Sequence, residues 1–191
     1  MLVKKTLVKP RVSYCMVGHE GHHDDGRFMK LEFPNVVVRS LYVPFNGVGK
    51  ESQLERRRAW DEALFREMAV APRPGQGRIL MGDCNVVYRD PDLSPHPEFW
   101  LKQGPQDGPI GDRGFGGTTR NERERFTTMM ECSEMADTFT RPSGRCQRRE
   151  AEKWTWRGQG QFFGKGMKVD YIFADDTILL SPRRPIMSGQ V

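Results

Sequence analysis

Hydrophobic and polar positions change rhythm along this chain, and each rhythm predicts an element. Apolar-rich runs at Val12 to Met16, Arg27 to Phe33 and Val36 to Val43 predict three strands, with Pro34-Asn35 turning the second into the third. In the second run Phe28, Lys30 and Glu32 alternate with Met29, Leu31 and Phe33, the period of a half-buried strand. Val36-Val37-Val38 reads as more deeply buried. From Ser52 to Ala69 the spacing lengthens: Leu54, Trp60, Leu64, Phe65 and Met68 fall largely on one helical face, and Pro72 ends the helix. Arg78 to Met81 is the next strand. Arg89 to Gly117, rich in Pro, Gly and Asp, reads as a long loop with one turn of helix near Phe99. Thr119-Arg120-Asn121-Glu122 is a capping box that opens a second helix, with Phe126, Met129 and Met130 toward the core. Trp154-Thr155-Trp156 and Lys168 to Ala174 predict two further strands. The order of elements predicts a mixed α/β architecture, with sheets covered by helices.

Composition narrows the class. A chain of 191 residues with 37% hydrophobic and 29% charged residues, 20 glycines and 13 prolines fits one soluble α/β domain with long loops. No stretch approaches the roughly 18 apolar residues that span a bilayer, and Met1 to Lys5 lacks the apolar core of a secretory signal, so no membrane partner is expected. Cys15, Cys84, Cys132 and Cys146 are widely spaced and suggest neither a zinc site nor a disulfide framework, which favours a reducing compartment. A net charge of +5 and a pI near 9.2 favour polyanionic partners. The basic groups Arg56-Arg57-Arg58 and Arg141, Arg145, Arg148, Arg149 and Lys153 read either as contacts to such a partner or as solvated charged loops. His19, Glu20, His22 and His23 hint at a metal site, but they fall in a Gly/Asp-rich hairpin that suits an exposed turn.

The most informative chemistry follows the apolar run Ile79-Leu80-Met81, where Gly82-Asp83-Cys84-Asn85 would deliver a carboxylate and an amide to the C-terminal edge of a sheet. Gly82 is expected to turn the chain sharply there. Asp83 and Asn85 together can hold a hard metal ion, activate a water and steady a phosphate, although Gly-Asp-x-Asn also describes an ordinary turn.

Three more segments share the pattern of reactive side chains at element ends: Tyr42-Val43-Pro44-Phe45-Asn46-Gly47, Trp154-Thr155-Trp156 and Val169-Asp170-Tyr171. In this order, with Glu122-Arg123 opening a helix among them, they resemble the endonuclease/exonuclease/phosphatase superfamily, and within it the exonuclease III-like apurinic/apyrimidinic endonucleases. Arg57 to Leu64, Asp92-Leu93 and Met135 to Phe139 extend the likeness from about Val12 to Ala174. The resemblance implies a four-layer α/β sandwich, two mixed sheets flanked by helices. It implies Mg²⁺-dependent (or Mn²⁺-dependent) cleavage of double-stranded DNA at abasic sites by a monomer, in the nucleus, mitochondrion or plastid of a eukaryote or the cytoplasm of a prokaryote.

Phosphodiester hydrolysis needs an activated water, neutralised charge on phosphorus and help for the leaving oxygen. Asp83 is the candidate general base, and Asp83 with Asn85 the candidate metal pair. Asn85 would donate to a phosphate oxygen while its carbonyl faces the metal or orients Asp83. Tyr42 would contact the phosphate, or else be a core tyrosine; Asn46 would add a phosphate contact, or else form a turn beside Gly47. The resemblance gives Asp170 the task of holding a catalytic histidine. It gives Trp156 a wall of the pocket for an extruded abasic sugar, a role weighed evenly against a core tryptophan. The second pocket aromatic of the family is Met167 here, a departure that weakens the expected abasic selectivity. The family's Asn- and Glu-bearing strands would precede Val12, and its Ser-Asp-His segment would follow Ile186. A single domain over 1–191, incomplete at both ends, is the expectation. Another nuclease or phosphoesterase of the superfamily, or a catalytically inactive DNA-binding fragment, remains the alternative.

Overall fold

Two strands at the centre of the chain organise the rest. β3 (Val36–Tyr42) and β4 (Gly77–Asp83) run parallel, from Val36 beside Gly77 to Tyr42 beside Asp83. They belong to a computed structural model that describes residues 8–18, 25–47, 51–138 and 154–180. The His19–His23 cluster and the basic segment holding Arg141, Arg145, Arg148, Arg149 and Lys153 lie outside the described residues.

Around the central pair the larger sheet has six strands in the order β1-β2-β3-β4-β9-β6. β1 (Arg11–Ser13) and β2 (Phe28–Glu32) form a hairpin on one side, and β9 (Asp170–Ala174) pairs antiparallel with β4 on the other. β6 (Ala136–Asp137) closes that edge against β9. The parallel β3–β4 step needs a crossover, supplied by α1 (Glu51–Ala69). α1 packs with α3 (Arg120–Cys132) on one face of the sheet. Trp60, Ala63, Leu64 and Met68 of α1 and Phe126, Met129 and Met130 of α3 form one buried cluster with Leu41, Leu80, Tyr171 and Phe173 of the strands. Both helices fall where the periodicity predicts. Thr119 caps α3 by accepting from the Glu122 amide, while the Glu122 carboxylate accepts from the Thr119 hydroxyl at 2.8 Å and the Gly117 amide at 2.9 Å.

A second, three-stranded sheet is antiparallel: β5 (Leu93–Ser94), β8 (Gly166–Met167) and β7 (Trp156–Arg157), in the order β5-β8-β7. Its strands are two residues long, too short to be read from alternation. The expected long loop before residue 117 carries β5 and α2 (Pro97–Leu101), and it sends Trp100 and Phe115 into an aromatic cluster with Trp156 and Phe162. A short α4 (Asp176–Leu179) follows β9. The architecture is α/β with two sheets and packed helices, as the order of elements predicts.

The expected strand from Lys168 to Ala174 is shortened to Asp170–Ala174. β8 belongs to the small sheet and β9 to the large one, and the chain crosses between them at Lys168 and Val169. Lys168 turns inward there to a buried ion pair with Asp137, its amide donating to the Asp92 carbonyl at 2.9 Å. Val169 packs into the aromatic cluster, its carbonyl accepting from the Cys84 amide at 2.8 Å.

Candidate active site

Strand register assembles the site. Tyr42 lies beside Asp83 on neighbouring parallel strands, and Asp83 lies opposite Asp170 on the antiparallel neighbour. Residues paired across a sheet share a face. Leu41, Leu80 and Phe173 are buried under the helices, so Tyr42, Asp83 and Asp170 form a row on the opposite face, at one end of the sheet. Tyr42 is 51% exposed, which separates it from the core tyrosine that its strand position also allowed. Asp83 and Asp170 are half-buried.

Gly82 works differently from the expectation. It lies within β4, at φ 132°, and a Cβ there would come within 2.0 Å of the Leu41 carbonyl oxygen on β3. Glycine here permits close approach of two backbones rather than a turn. The turn comes after Asp83, where Asn85 adopts the left-handed conformation at φ 44°. Asparagine tolerates that region because its short side chain bonds locally. The Asn85 backbone amide donates to Asp83 Oδ1 at 2.8 Å, and its Nδ2 donates to the Val43 carbonyl at 2.8 Å. The backbone of Asn85, not its side-chain carbonyl, therefore orients Asp83.

The electrostatics favour a carboxyl that can exchange a proton. Burial pushes the Asp83 carboxyl above the usual range; the Asn85 amide pulls it back, and the neighbouring Asp170 pushes it up again. Arg27, whose guanidinium stacks 4.5 Å over the Tyr42 ring and donates to the Tyr42 carbonyl at 3.3 Å, lowers it in turn. Cys84 is no competing nucleophile, since burial pushes its thiol well up.

Two expected site residues, Asn46 and Trp156, are more enclosed than a DNA contact needs, and Met167 is enclosed with Trp156. Asn46 is only 2% exposed, and its Oδ1 has no hydrogen-bond partner among the described residues. It fits because position 116 is glycine, where a Cβ would lie 2.1 Å from that oxygen. As folded, it does not offer its side chain to a phosphate. Trp156 is partly buried with its ring centroid 5.9 Å from Trp100 and 6.0 Å from Phe115, so packing claims much of its surface. Met167 is 3% exposed in the same cluster and lines no open wall.

Sequence reasoning missed other residues that shape the site. Thr155 Oγ1 accepts from the amides of Val169 and Asp170, both at 3.1 Å, and so fixes the start of β9. The triplet read either as a contact to a polyanion or as a solvated cluster is divided: Arg56 pairs with Asp25 and Arg58 with Asp112, but Arg57 is 1% exposed. Its signal was the helical period, since 57, 60, 64 and 68 share the buried stripe of α1 and a charge on such a stripe needs internal partners. The Tyr171 hydroxyl donates to the Lys168 carbonyl at 2.6 Å and accepts from the Tyr88 amide at 2.9 Å.

Metal fit can be judged from the donors. Among the described residues no group of three or more His, Cys, Asp or Glu could hold an ion. Mg²⁺ is commonly held by one or two carboxylates together with waters and substrate phosphates, a donor set to which the expected pair, Asp83 and Asn85, would contribute one carboxylate and one amide oxygen. No helix among the described residues is long and apolar enough to cross a membrane.

Known proteins resemble this chain in sequence and in fold. The sequence profile described as Endonuclease/Exonuclease/phosphatase family matches residues 1–188. A DNA-(apurinic or apyrimidinic site) endonuclease of Arabidopsis thaliana is 29% identical over 185 residues, 93% of this chain and 50% of that protein. An exodeoxyribonuclease of Bacillus subtilis is 27% identical over 162 residues, 85% of this chain and 58% of that protein. A solved structure of a 3′ phosphatase, NExo, from Neisseria bound to product DNA hairpin superimposes with a TM-score of 0.62 at 19% identity, covering 90% of this chain and 60% of that one. The chain thus spans about half the length of the first of these relatives.

Proposed function

This chain belongs to the endonuclease/exonuclease/phosphatase family, and from that membership we propose that it is a DNA repair hydrolase that cleaves phosphodiesters at abasic sites in double-stranded DNA. The observation that carries the reading is the row of Tyr42, Asp83 and Asp170 across three adjacent strands, with Asn85 locking Asp83 from the following turn.

Each residue has a task that its surroundings support. Asp83, its proton affinity raised by burial, takes the proton of the attacking water. The Tyr42 hydroxyl, at the exposed strand end, donates to a phosphate oxygen, and Arg27 beside it adds positive charge. Asn85, whose Nδ2 donates one hydrogen to the Val43 carbonyl, has a second N–H for a phosphate oxygen. Asp170 is the orienting carboxylate, held in place by Thr155. Mg²⁺, or Mn²⁺ in its place, would be held by Asp83 and the Asn85 side-chain oxygen, with waters and the substrate phosphate completing its shell. It would supply charge neutralisation at the phosphate. The partner is duplex DNA engaged by a monomer, in the nucleus or an organelle of a eukaryote or the cytoplasm of a prokaryote.

The buried Met167 and the packed Trp156 favour a second reading, a nuclease or phosphoesterase of the same family without abasic selectivity. Cleavage of abasic, intact and single-stranded DNA in Mg²⁺ separates the two. On the proposed reading abasic duplex is nicked fastest, and Asp83→Asn lowers the rate by about 10²- to 10⁴-fold. Equal rates on all substrates would select the second reading. An unchanged rate in Asp83→Asn would remove the catalytic assignment.

A further inference from the structure

Arg57 carries its charge into the interior of α1, and its partners are unusual for a buried ion pair. Nε donates to Asp61 Oδ1 at 2.8 Å, one turn along the same helix. Every other hydrogen bond goes to a main-chain carbonyl: Nη1 to Pro44 at 3.1 Å and Asn85 at 2.9 Å, Nη2 to Cys84 at 3.2 Å. Those carbonyls belong to two turns, one after Tyr42 and one after Asp83. Glu122 Oε1, 3.9 Å from Nη1, balances charge without taking a hydrogen bond.

The β3–β4 ladder ends at Tyr42 and Asp83, and the turns beyond it would separate without further ties. Val43 supplies two: its amide donates to the Asp83 carbonyl at 2.9 Å and its carbonyl accepts from Asn85 Nδ2. Arg57 continues the connection where the strands can no longer do so. We propose that Arg57 is a positioning residue for the reaction assigned above, its guanidinium fork setting the Tyr42 turn and the Asp83–Asn85 turn at one fixed separation. This rests on the proposed function for its catalytic consequence, though the clamp itself can be tested without it. Lysine keeps the charge but has one nitrogen, and it cannot serve Asp61 and carbonyls of both turns together.

The test compares Arg57→Lys with Met68→Ala, a buried cavity-forming change about three turns further along the same helix, with no polar group to bond either turn. At matched loss of melting temperature, Arg57→Lys should lower kcat on abasic duplex about 100-fold with KM little changed. It should also speed hydrogen exchange of the Asn85 amide about tenfold relative to amides of β2. Met68→Ala should do neither. Matching kcat and exchange in the two variants would overturn the proposal. If Arg57→Lys does not fold, Asp61→Ala, which removes the acceptor of Arg57 Nε and keeps the guanidinium's charge, decides by the same exchange measurement: no change at Asn85 overturns the clamp. Should the unsubstituted protein leave abasic DNA intact, the functional reading fails, while the exchange arm still decides the clamp.

Discussion

The end of the large sheet and the small aromatic sheet lie side by side and are held together in opposite ways. At the sheet end, half-exposed polar groups are placed by strand register, by the left-handed Asn85 turn and by one buried guanidinium. In the small sheet, two-residue strands are held by rings: Trp100 lies 5.2 Å from Phe115, 5.4 Å from Phe162 and 5.9 Å from Trp156. Hydrogen bonds and register are directional and set angles, which chemistry requires; ring packing is nearly non-directional and supplies stability. The molecule separates what fixes geometry from what supplies burial. The two meet at Val169, whose side chain packs with the rings and whose carbonyl holds Cys84.

Three substitutions challenge that separation. Trp100→Ala should have the largest effect on stability, about 3–5 kcal/mol, because it empties the centre of the aromatic cluster. At a temperature where the variant is folded, its kcat should stay near that of the parent. Denaturant melts and single-turnover assays measure both, and a kcat loss out of proportion to the unfolded fraction would show the aromatic region to be part of the catalytic machinery. Gly82→Ala should show the opposite balance. Its left-handed strain costs about 1–3 kcal/mol, and the Leu41 carbonyl must also give way, so β3 and β4 shift apart at Tyr42 and Asp83. Its kcat should fall more than that of Trp100→Ala despite the smaller stability loss. The reverse order would erase the distinction.

The smallest expected effect is a gain. The Asp83 carboxyl is raised in the folded state, so the fold favours its protonated form. That contribution is fully present below the unfolded carboxylate range and is lost as pH rises through the folded value. Asp83→Asn should therefore melt slightly higher than the parent at neutral pH, with the difference closing below about pH 3.5. A variant that melts lower at neutral pH would mean that the site is not strained by its own charge.

Much of the frame was legible from local pattern. α1 runs over Glu51–Ala69 against an expected Ser52 to Ala69, since one apolar stripe and Pro72 define it. The α3 start follows from Thr119 and Glu122, three residues apart and dependent on nothing distant. β3 and β4 followed from their apolar runs, and the placement of Asp83 at a strand end followed with them. The failures involve partners far along the chain. Lys168 to Ala174 has one continuous strand pattern, yet the Lys168–Asp137 pair and the Asp92 carbonyl hold Lys168 in the crossover from the small sheet, so the strand begins only at Asp170. Asn46 has the composition of an exposed turn, and its burial depends on the missing Cβ of Gly116.

Elements and candidate chemistry are thus inherent in the chain, because helix period, strand alternation and capping act over a few neighbouring residues. Which face each side chain takes across the sheet, and what a buried charge finds there, arise only when distant segments meet. Asp83 was recognisable as a reactive residue from its own neighbours. That it shares a row with Tyr42 and Asp170, with Arg57 beneath, follows from the parallel and antiparallel register of three strands, since a shift of one residue would turn each of those groups to the opposite face.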